Sequence, residues 1–299
     1  TSPVIGFASN HRIMNSSKVP VSLLVPCKNE EKNVERCLRS VNWVNEAFVV
    51  DSQSTDRTIS IAEKEGAQVV QFNYQGGWPK KKNWALDNLP FKNEWVLILD
   101  ADECLPPEAE EEIRKIIENP DATHSGYWIN RRYFFMGKPL KHAYFPNWNL
   151  RLFKHRLGRY EKITGGDTDS GDHEIHEHVV VEGTTGKLKA IMDHHAFPTI
   201  ESFVEKHNRY SNWEAVVEST SKDKAGSLQH KGVKGKRFLR RVFRTLPFRP
   251  TLRFLYVYLW QGGFLDGWPG YVFARLHGQY EFLSVVKARE RSRGREKTR

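Results

Sequence analysis

The sequence predicts an α/β fold, a mostly parallel sheet with helices on both faces, and three observations carry that prediction. Residues 19–120 alternate short apolar runs with segments of helical periodicity. Trp95-Val-Leu-Ile-Leu99 is an unbroken apolar run, too short for a helix and fit for a strand buried on both faces. The runs end in polar turns, the sharpest being Asp100-Ala-Asp102, and the carboxyl ends of such strands are where open α/β sheets bind ligands.

Taken in order, Val19–Pro26 reads as the first strand, followed by the turn Cys27-Lys-Asn-Glu30. Glu31–Val41 places Val34, Leu38 and Val41 on one helical face. Ala47–Val50 is a second strand ending in Asp51-Ser-Gln-Ser-Thr-Asp56, with Asp56 as the amino-cap of a helix that stops at Gly66. Ala67–Phe72 is a third strand, and Lys80–Asn83 opens a helix near Trp84–Leu89. The strand with the two aspartates follows, then an acidic helix near Glu108–Glu118. Gly126–Phe135, Asn149–Lys154 and His178–Glu182 are aromatic or β-prone and are expected to extend the sheet. Thr199–Glu218 reads as a helix, and Ser219–Gly235 as a Ser/Lys/Gly-rich linker. No internal repeat is visible.

The +10 net charge is unevenly placed. Residues 231–299 hold 17 Lys and Arg against 4 Asp and Glu, so the basicity belongs to the tail and not to the sheet. Cys27, Cys37 and Cys104 show neither metal-like nor paired spacing, which suits a reducing compartment. Residues 1–18 lack the apolar core of a signal peptide, and no run of about 18 apolar residues predicts a membrane span.

Asp100 and Asp102 at one strand end repel each other unless a cation sits with them. A hard divalent ion answers that need, since Mg²⁺ is typically held by one or two carboxylates plus substrate phosphates. The competing reading makes Asp102 the cap of the acidic helix. Lys80–Lys82 beside the crevice favours phosphate, although such a run is more often solvated, the reading favoured for Lys80. His173, Glu174, His176, Glu177 and His178 form the densest titratable cluster. A zinc site built on these histidines fits no established ligand spacing. A nucleotidyltransferase would need a Gly-rich phosphate loop after the first strand, which Cys27-Lys-Asn-Glu30 is not.

The blocks Val25-Pro-Cys-Lys-Asn-Glu-Glu31, Val50-Asp-Ser-Gln-Ser-Thr-Asp-Arg-Thr58, Lys81-Lys-Asn-Trp-Ala-Leu-Asp87 and Leu99-Asp-Ala-Asp-Glu103 resemble those of the inverting family 2 glycosyltransferases. Residues 175–183 (IHEHVVVEG) and 194–215 bring the likeness closer to bacterial lipopolysaccharide-core β-1,4-glucosyltransferases. The resemblance implies a GT-A fold with a Rossmann-like nucleotide-sugar sheet. It divides the chain into an arm (1–18), a GT-A domain (19–218, with a nucleotide-sugar half to 120 and an acceptor half beyond), a linker (219–235) and a basic amphipathic helical tail (236–299). It implies that Asp102 ligates Mn²⁺ or Mg²⁺, with His194 or the adjacent His195 near the metal, and that Asp100 lies towards ribose and metal. Pro26, Lys28, Glu30, Asp51 and Ser52 would frame the nucleotide, and Lys82 and Asn83 would contact the donor. Asp51-Ser52 stands where many relatives have two aspartates, which leaves the base open, uridine being favoured. For Ser54 and Thr55, ordinary turn chemistry is at least as good a reading. Glu177 would be the base that deprotonates the acceptor hydroxyl, with Asp172 and Glu174 as alternatives. Lys206 and Arg209 share a helical face and would approach the donor phosphates or an anionic acceptor.

The expected activity is transfer of a hexose, glucose favoured, from a UDP-sugar to a membrane-associated glycan or a lipopolysaccharide-core or lipid-linked acceptor. The expected place is the inner face of the cytoplasmic membrane, bound peripherally through residues 236–290. Gly262-Gly263 and Gly267–Gly270 should break the tail into two short helical segments, a surface-lying or re-entrant hairpin. Packing of these segments on the catalytic domain is the plainer alternative. A different class remains: a module that binds RNA or a membrane surface through the tail, on a degenerate nucleotide-sugar fold. Long aliphatic stretches between the arginines weigh against nucleic acid.

Overall fold

The computed structural model describes residues 17–119, 121–161, 178–220 and 248–296. The nucleotide half is built as the alternation requires: Val19–Cys27 (β1), Val34–Ser40 (α1), Val44–Asp51 (β2), Thr58–Lys64 (α2), Gln68–Gln71 (β3), Lys81–Asn88 (α3) and Trp95–Ile98 (β4). β1 pairs in parallel with β2 on one side and β4 on the other, and β3 extends β2 in parallel. Glu103–Cys104 (β5) and the helix Glu108–Ile117 (α4) follow.

Period-2 alternation sends neighbouring side chains of the central strands to opposite faces. Val21, Leu23 and Val25 of β1 and Trp95 and Leu97 of β4 join Val34, Cys37, Leu38, Ala109 and Ile113 from α1 and α4. Leu24, Val96 and Ile98 face the other way, against Ala85 and Leu86 of α3. Each fully buried Val, Leu or Ile among these contributes about 1.5–3 kcal/mol of burial free energy. Helices therefore cover both faces, as the sequence predicts.

The second half departs from pure parallel order. His124–Phe135 (β6), Lys138–Pro139 (β7), Trp148–Lys154 (β8), Gly158–Tyr160 (β9), Val179–Val181 (β10) and Thr184–Phe197 (β11) follow in the chain. β8 inserts antiparallel between β4 and β6, and β11 runs parallel to β6. The main sheet reads β3-β2-β1-β4-β8-β6-β11-β5. Val179–Val181 does not join it: β10 pairs with β9 in a separate two-stranded ribbon. The 14-residue β11, absent from the sequence reading, shows alternating burial through Leu188, Ala190 and Met192.

A long helix, Ile200–Thr220 (α5), leaves the end of β11. The expected linker beyond Thr220, residues 221–247 and the arm before residue 17 lie outside the described residues. The chain re-enters as Arg249–Leu255 (α6), a π-helical turn Tyr256–Trp260, a 3₁₀ turn Gly263–Asp266 and a 30-residue helix Gly267–Glu296 (α7). Gly262, at φ 73°, makes the expected break. Gly267–Gly270 does not divide the tail again, because it begins the long helix. A Cβ on Gly270 would stand 2.0 Å from the Gly263 carbonyl oxygen, so glycine there permits the tight entry from the 3₁₀ turn into α7.

This tail is not a detached extension. α7 runs along α5, and Val257, Phe273 and Ala274 share an apolar cluster with Phe135, Leu140, Ala196, Phe197 and Phe203 of the sheet domain. The Asp266 carboxylate accepts the N–H groups of Lys141, His142 and Ala143 at 2.8, 3.1 and 2.8 Å. Packing against the domain, the plainer of the two alternatives for the tail, describes its inner face.

Candidate active site

The carboxyl ends of β1 and β4 open into a cleft of about 1010 Å³, walled on the far side by β6, β8, α5 and both C-terminal helices. Its floor is Asp100-Ala101-Asp102. The two aspartates have different partners. Asp100 is clamped between Lys82 Nζ (2.7 Å to Oδ1) and Arg151 Nη2 (2.7 Å to Oδ2). Burial alone would raise its carboxyl, but Arg151 and Lys82 outweigh burial and hold it well below the usual carboxylate range. Arg151 also pairs with the fully buried Glu103 at 2.5 Å, and Arg131 reaches that carboxylate at 3.2 Å. The other Glu103 oxygen accepts the Asp100 N–H at 2.9 Å, which fixes the turn that carries the pair.

Asp102 meets looser cations. His194 Nε2 lies 3.2 Å from one oxygen, and Lys206 Nζ from α5 lies 3.7 Å from the other. Burial opposes ionisation here too, yet His194 and Lys206 bring the carboxyl down to about 2. Asp102 does not cap the acidic helix, whose amino end is Pro107. His195, the alternative to His194, stacks on Phe134 with ring centroids 4.4 Å apart, so the strand alternation gives His194 to Asp102.

The remaining donor candidates divide. Pro26, Lys28, Glu30 and Lys82 line the cleft with Asp100. Burial raises the Glu30 carboxyl, and Asn33 Nδ2 donates to it at 2.8 Å. Asp51, Ser52 and Asn83 do not face the cleft. Asp51 is fully buried and accepts the Ser54 N–H at 2.8 Å and Gln71 Nε2 at 3.0 Å, so its oxygens organise the turn beneath the site. The Ser52 N–H is held by the Cys27 carbonyl. Asn83 brackets the Tyr160 peptide, donating to its carbonyl and accepting its N–H at 2.9 Å each. Ser54 and Thr55 bind the turn at Asn29, the turn chemistry foreseen for them. Asp56 accepts the Thr58 N–H but stands one residue before the helix cap, Arg57. Lys80, expected in solvent, is buried, as is Lys81, whose Nζ donates to the Cys27 carbonyl at 3.0 Å. Glu177, with Asp172, His173, Glu174 and His176, lies outside the described residues.

Sequence reading missed the arginines. Arg151 sits between Leu150 and Leu152 in a buried strand, a pattern that demands a carboxylate partner without saying which. It also missed that Arg249, Arg253, His277 and Tyr280 of the tail line the same cleft.

A carboxylate and an imidazole, with an ammonium group alongside, suit a divalent cation shared with a diphosphate. The His194 Nδ1 is buried without a partner among the described residues, so of this ring only Nε2 is engaged, with Asp102. Among the described residues no group of three His, Cys, Asp or Glu ligands occurs, so Asp102 and His194 are the protein ligands they offer.

Comparison with known proteins identifies the family. The lipopolysaccharide core biosynthesis glycosyltransferase LpsC of Rhizobium meliloti is 27% identical over 284 residues, covering 92% of this chain and 93% of that protein. An uncharacterized glycosyltransferase of Rickettsia conorii is 33% identical over 199 residues, 65% of this chain and 69% of its own. Among solved structures, Staphylococcus aureus TarS (residues 1–349) aligns at TM-score 0.45 and 18% identity, covering 94% of this chain and 92% of that one. The family model described as "Glycosyl transferase family 2" matches residues 22–171. With that match over half its length, the chain belongs to family 2 of the glycosyltransferases and is a glycosyltransferase.

Proposed function

We propose that the enzyme transfers a hexose, glucose from UDP-glucose in the favoured case, to a membrane-associated glycan such as a lipopolysaccharide core, with inversion. The observation that carries this reading is the unequal treatment of Asp100 and Asp102 at the cleft floor. Asp100 is locked by Arg151 and Lys82, whereas Asp102 is held by an imidazole and a distant ammonium that can give way to a metal. Asp102 and His194 would hold Mn²⁺ or Mg²⁺. Bound there, the cation would offset the negative charge that builds on the departing diphosphate.

Lys82 and Lys206 supply positive charge at either side of that position, and Pro26, Lys28 and Glu30 border the nucleotide end. The acceptor hydroxyl oxygen attacks the anomeric carbon as the bond from that carbon to the diphosphate oxygen breaks. The electron pair leaves with UDP, and the hydroxyl proton passes to Glu177. An in-line displacement of this kind inverts the configuration. The likeness to LpsC, a lipopolysaccharide core enzyme, supports the acceptor class. A membrane-bound acceptor also accords with peripheral attachment at the inner face of the cytoplasmic membrane, through the exposed aromatic surface of the tail.

Titration calorimetry with UDP, with and without Mn²⁺, tests the proposal. Wild type should bind UDP more tightly with metal. Asp102→Ala should lose about a hundredfold or more of that metal-dependent affinity. Glu177→Gln should keep UDP affinity and lose hexose transfer; full transfer by that variant would remove Glu177 as the base.

A further inference from the structure

The wall of the cleft built by the tail carries a cation that the transfer chemistry above does not use. Arg253, on α6, lines the cleft, donates through Nη2 to the Tyr144 hydroxyl, and lies over the Tyr144 ring at 5.4 Å. Its Nε is buried with no hydrogen-bond partner among the described residues. None of the described carboxylates forms an ion pair with it, whereas Arg249, one turn earlier, places Nε and Nη2 at 2.9 and 2.6 Å from a Glu281 oxygen. A buried N–H donor left unmade is costly and calls for an acceptor.

The surroundings say what kind. Tyr144 stacks on His277 at 4.4 Å and meets Tyr133 edge-on at 6.5 Å, and Tyr133 lies 4.9 Å from the His194 ring. Two tyrosine rings thus separate Arg253 from the Asp102–His194 pair. On the proposed reading Lys82 and Lys206, which meet Asp100 and Asp102, already flank the donor diphosphate. Arg253 is placed for the other substrate. A planar guanidinium with an unpartnered Nε–H, set in an aromatic wall of the cleft, suits a carboxylate or a phosphate.

We infer that Arg253 and the Tyr144 hydroxyl form a subsite for an anionic group, carboxylate or phosphate, carried by the acceptor. The inference rests on the nucleotide-sugar reading of the donor end. It also explains why the C-terminal helices are built into the catalytic domain: they supply the acceptor side of the cleft with its charge.

The test uses the full chain saturated with UDP and Mg²⁺, and ligand-observed NMR titrations with three probes: glucose 6-phosphate, glucuronate and neutral glucose. At least one anion should bind about tenfold more tightly than glucose, and which one does so distinguishes a phosphate from a carboxylate partner. Arg253→Gln should bring that anion to the level of glucose, and Arg253→Lys, which keeps charge but not the fork, should fall between. Equal binding of all three probes to wild type overturns the inference without any variant, as does an anion preference that survives Arg253→Gln. UDP affinity is read in the same samples. Its absence in wild type sinks the nucleotide-sugar reading, whereas intact UDP binding without anion preference sinks only the acceptor subsite.

Discussion

At the scale of single residues, position on the strand end does not decide what Asp100 and Asp102 do; their partners do. Asp100 is part of a buried ionic cluster with Arg151, Lys82 and Glu103, and its charge is spent on holding the floor of the cleft. Breaking such a cluster from one side leaves unpaired buried charge, which costs about 3–5 kcal/mol. Arg151→Met should therefore lower the denaturant midpoint by roughly that free energy, and adding Glu103→Gln should restore part of it. No change in midpoint would mean that the cluster is already solvated. The aspartate pair was legible because its members are one residue apart. Arg151, 51 positions from Asp100, carried no local sign of which carboxylate it would meet.

At the scale of elements, most of the helices and strands of residues 19–118 could be read, because alternation and helical period are local properties. Misjudged elements were those whose neighbours lie far along the chain. β10 looked like another strand of the sheet but pairs with β9, and β11 was overlooked despite its alternating pattern. The 3₁₀ turn Gly263–Asp266 gave no signal at all, yet Asp266 binds three successive amides of the 141–143 segment next to Tyr144. Asp266→Ala leaves those donors with no carboxylate, at about 1–3 kcal/mol of stability. On the proposed reading the segment leads into the acceptor wall and not the donor floor, so hexose transfer should fall at least fivefold while UDP affinity stays within twofold, roughly the effect of a 1 kcal/mol disturbance. A matching loss of UDP affinity would show that the two ends of the cleft are not separable in this way.

For the molecule as a whole, the tail has two faces. The inner one fills the apolar cluster and lines the cleft. The outer one exposes Phe248 (80%), Trp260 (83%) and Trp268 (65%), with Leu259, Phe264 and Leu265 beside them. No helix of the described residues is long and apolar enough to cross a membrane. An exposed aromatic and aliphatic surface on a strongly basic chain segment suits attachment to anionic lipid instead. Deleting the tail would dismantle the cleft, so the informative variant is the double substitution Trp260→Ser and Trp268→Ser. In flotation with phosphatidylglycerol-containing vesicles it should bind at least about tenfold more weakly than wild type, with its thermal midpoint unchanged. Equal flotation would assign the surface to something other than lipid.

The sequence by itself determined the α/β character, the order of the nucleotide-half elements, the aspartate pair at a strand end as a candidate site, and the family, because each is written in residues close together in the chain. Only the tertiary structure decided that Asp51 and Asn83 turn inward, that His194 rather than His195 meets Asp102, and that Arg151 and Arg253 enter the cleft. Those outcomes depend on which buried charge finds which partner across tens to hundreds of residues, and local periodicity carries no record of that pairing.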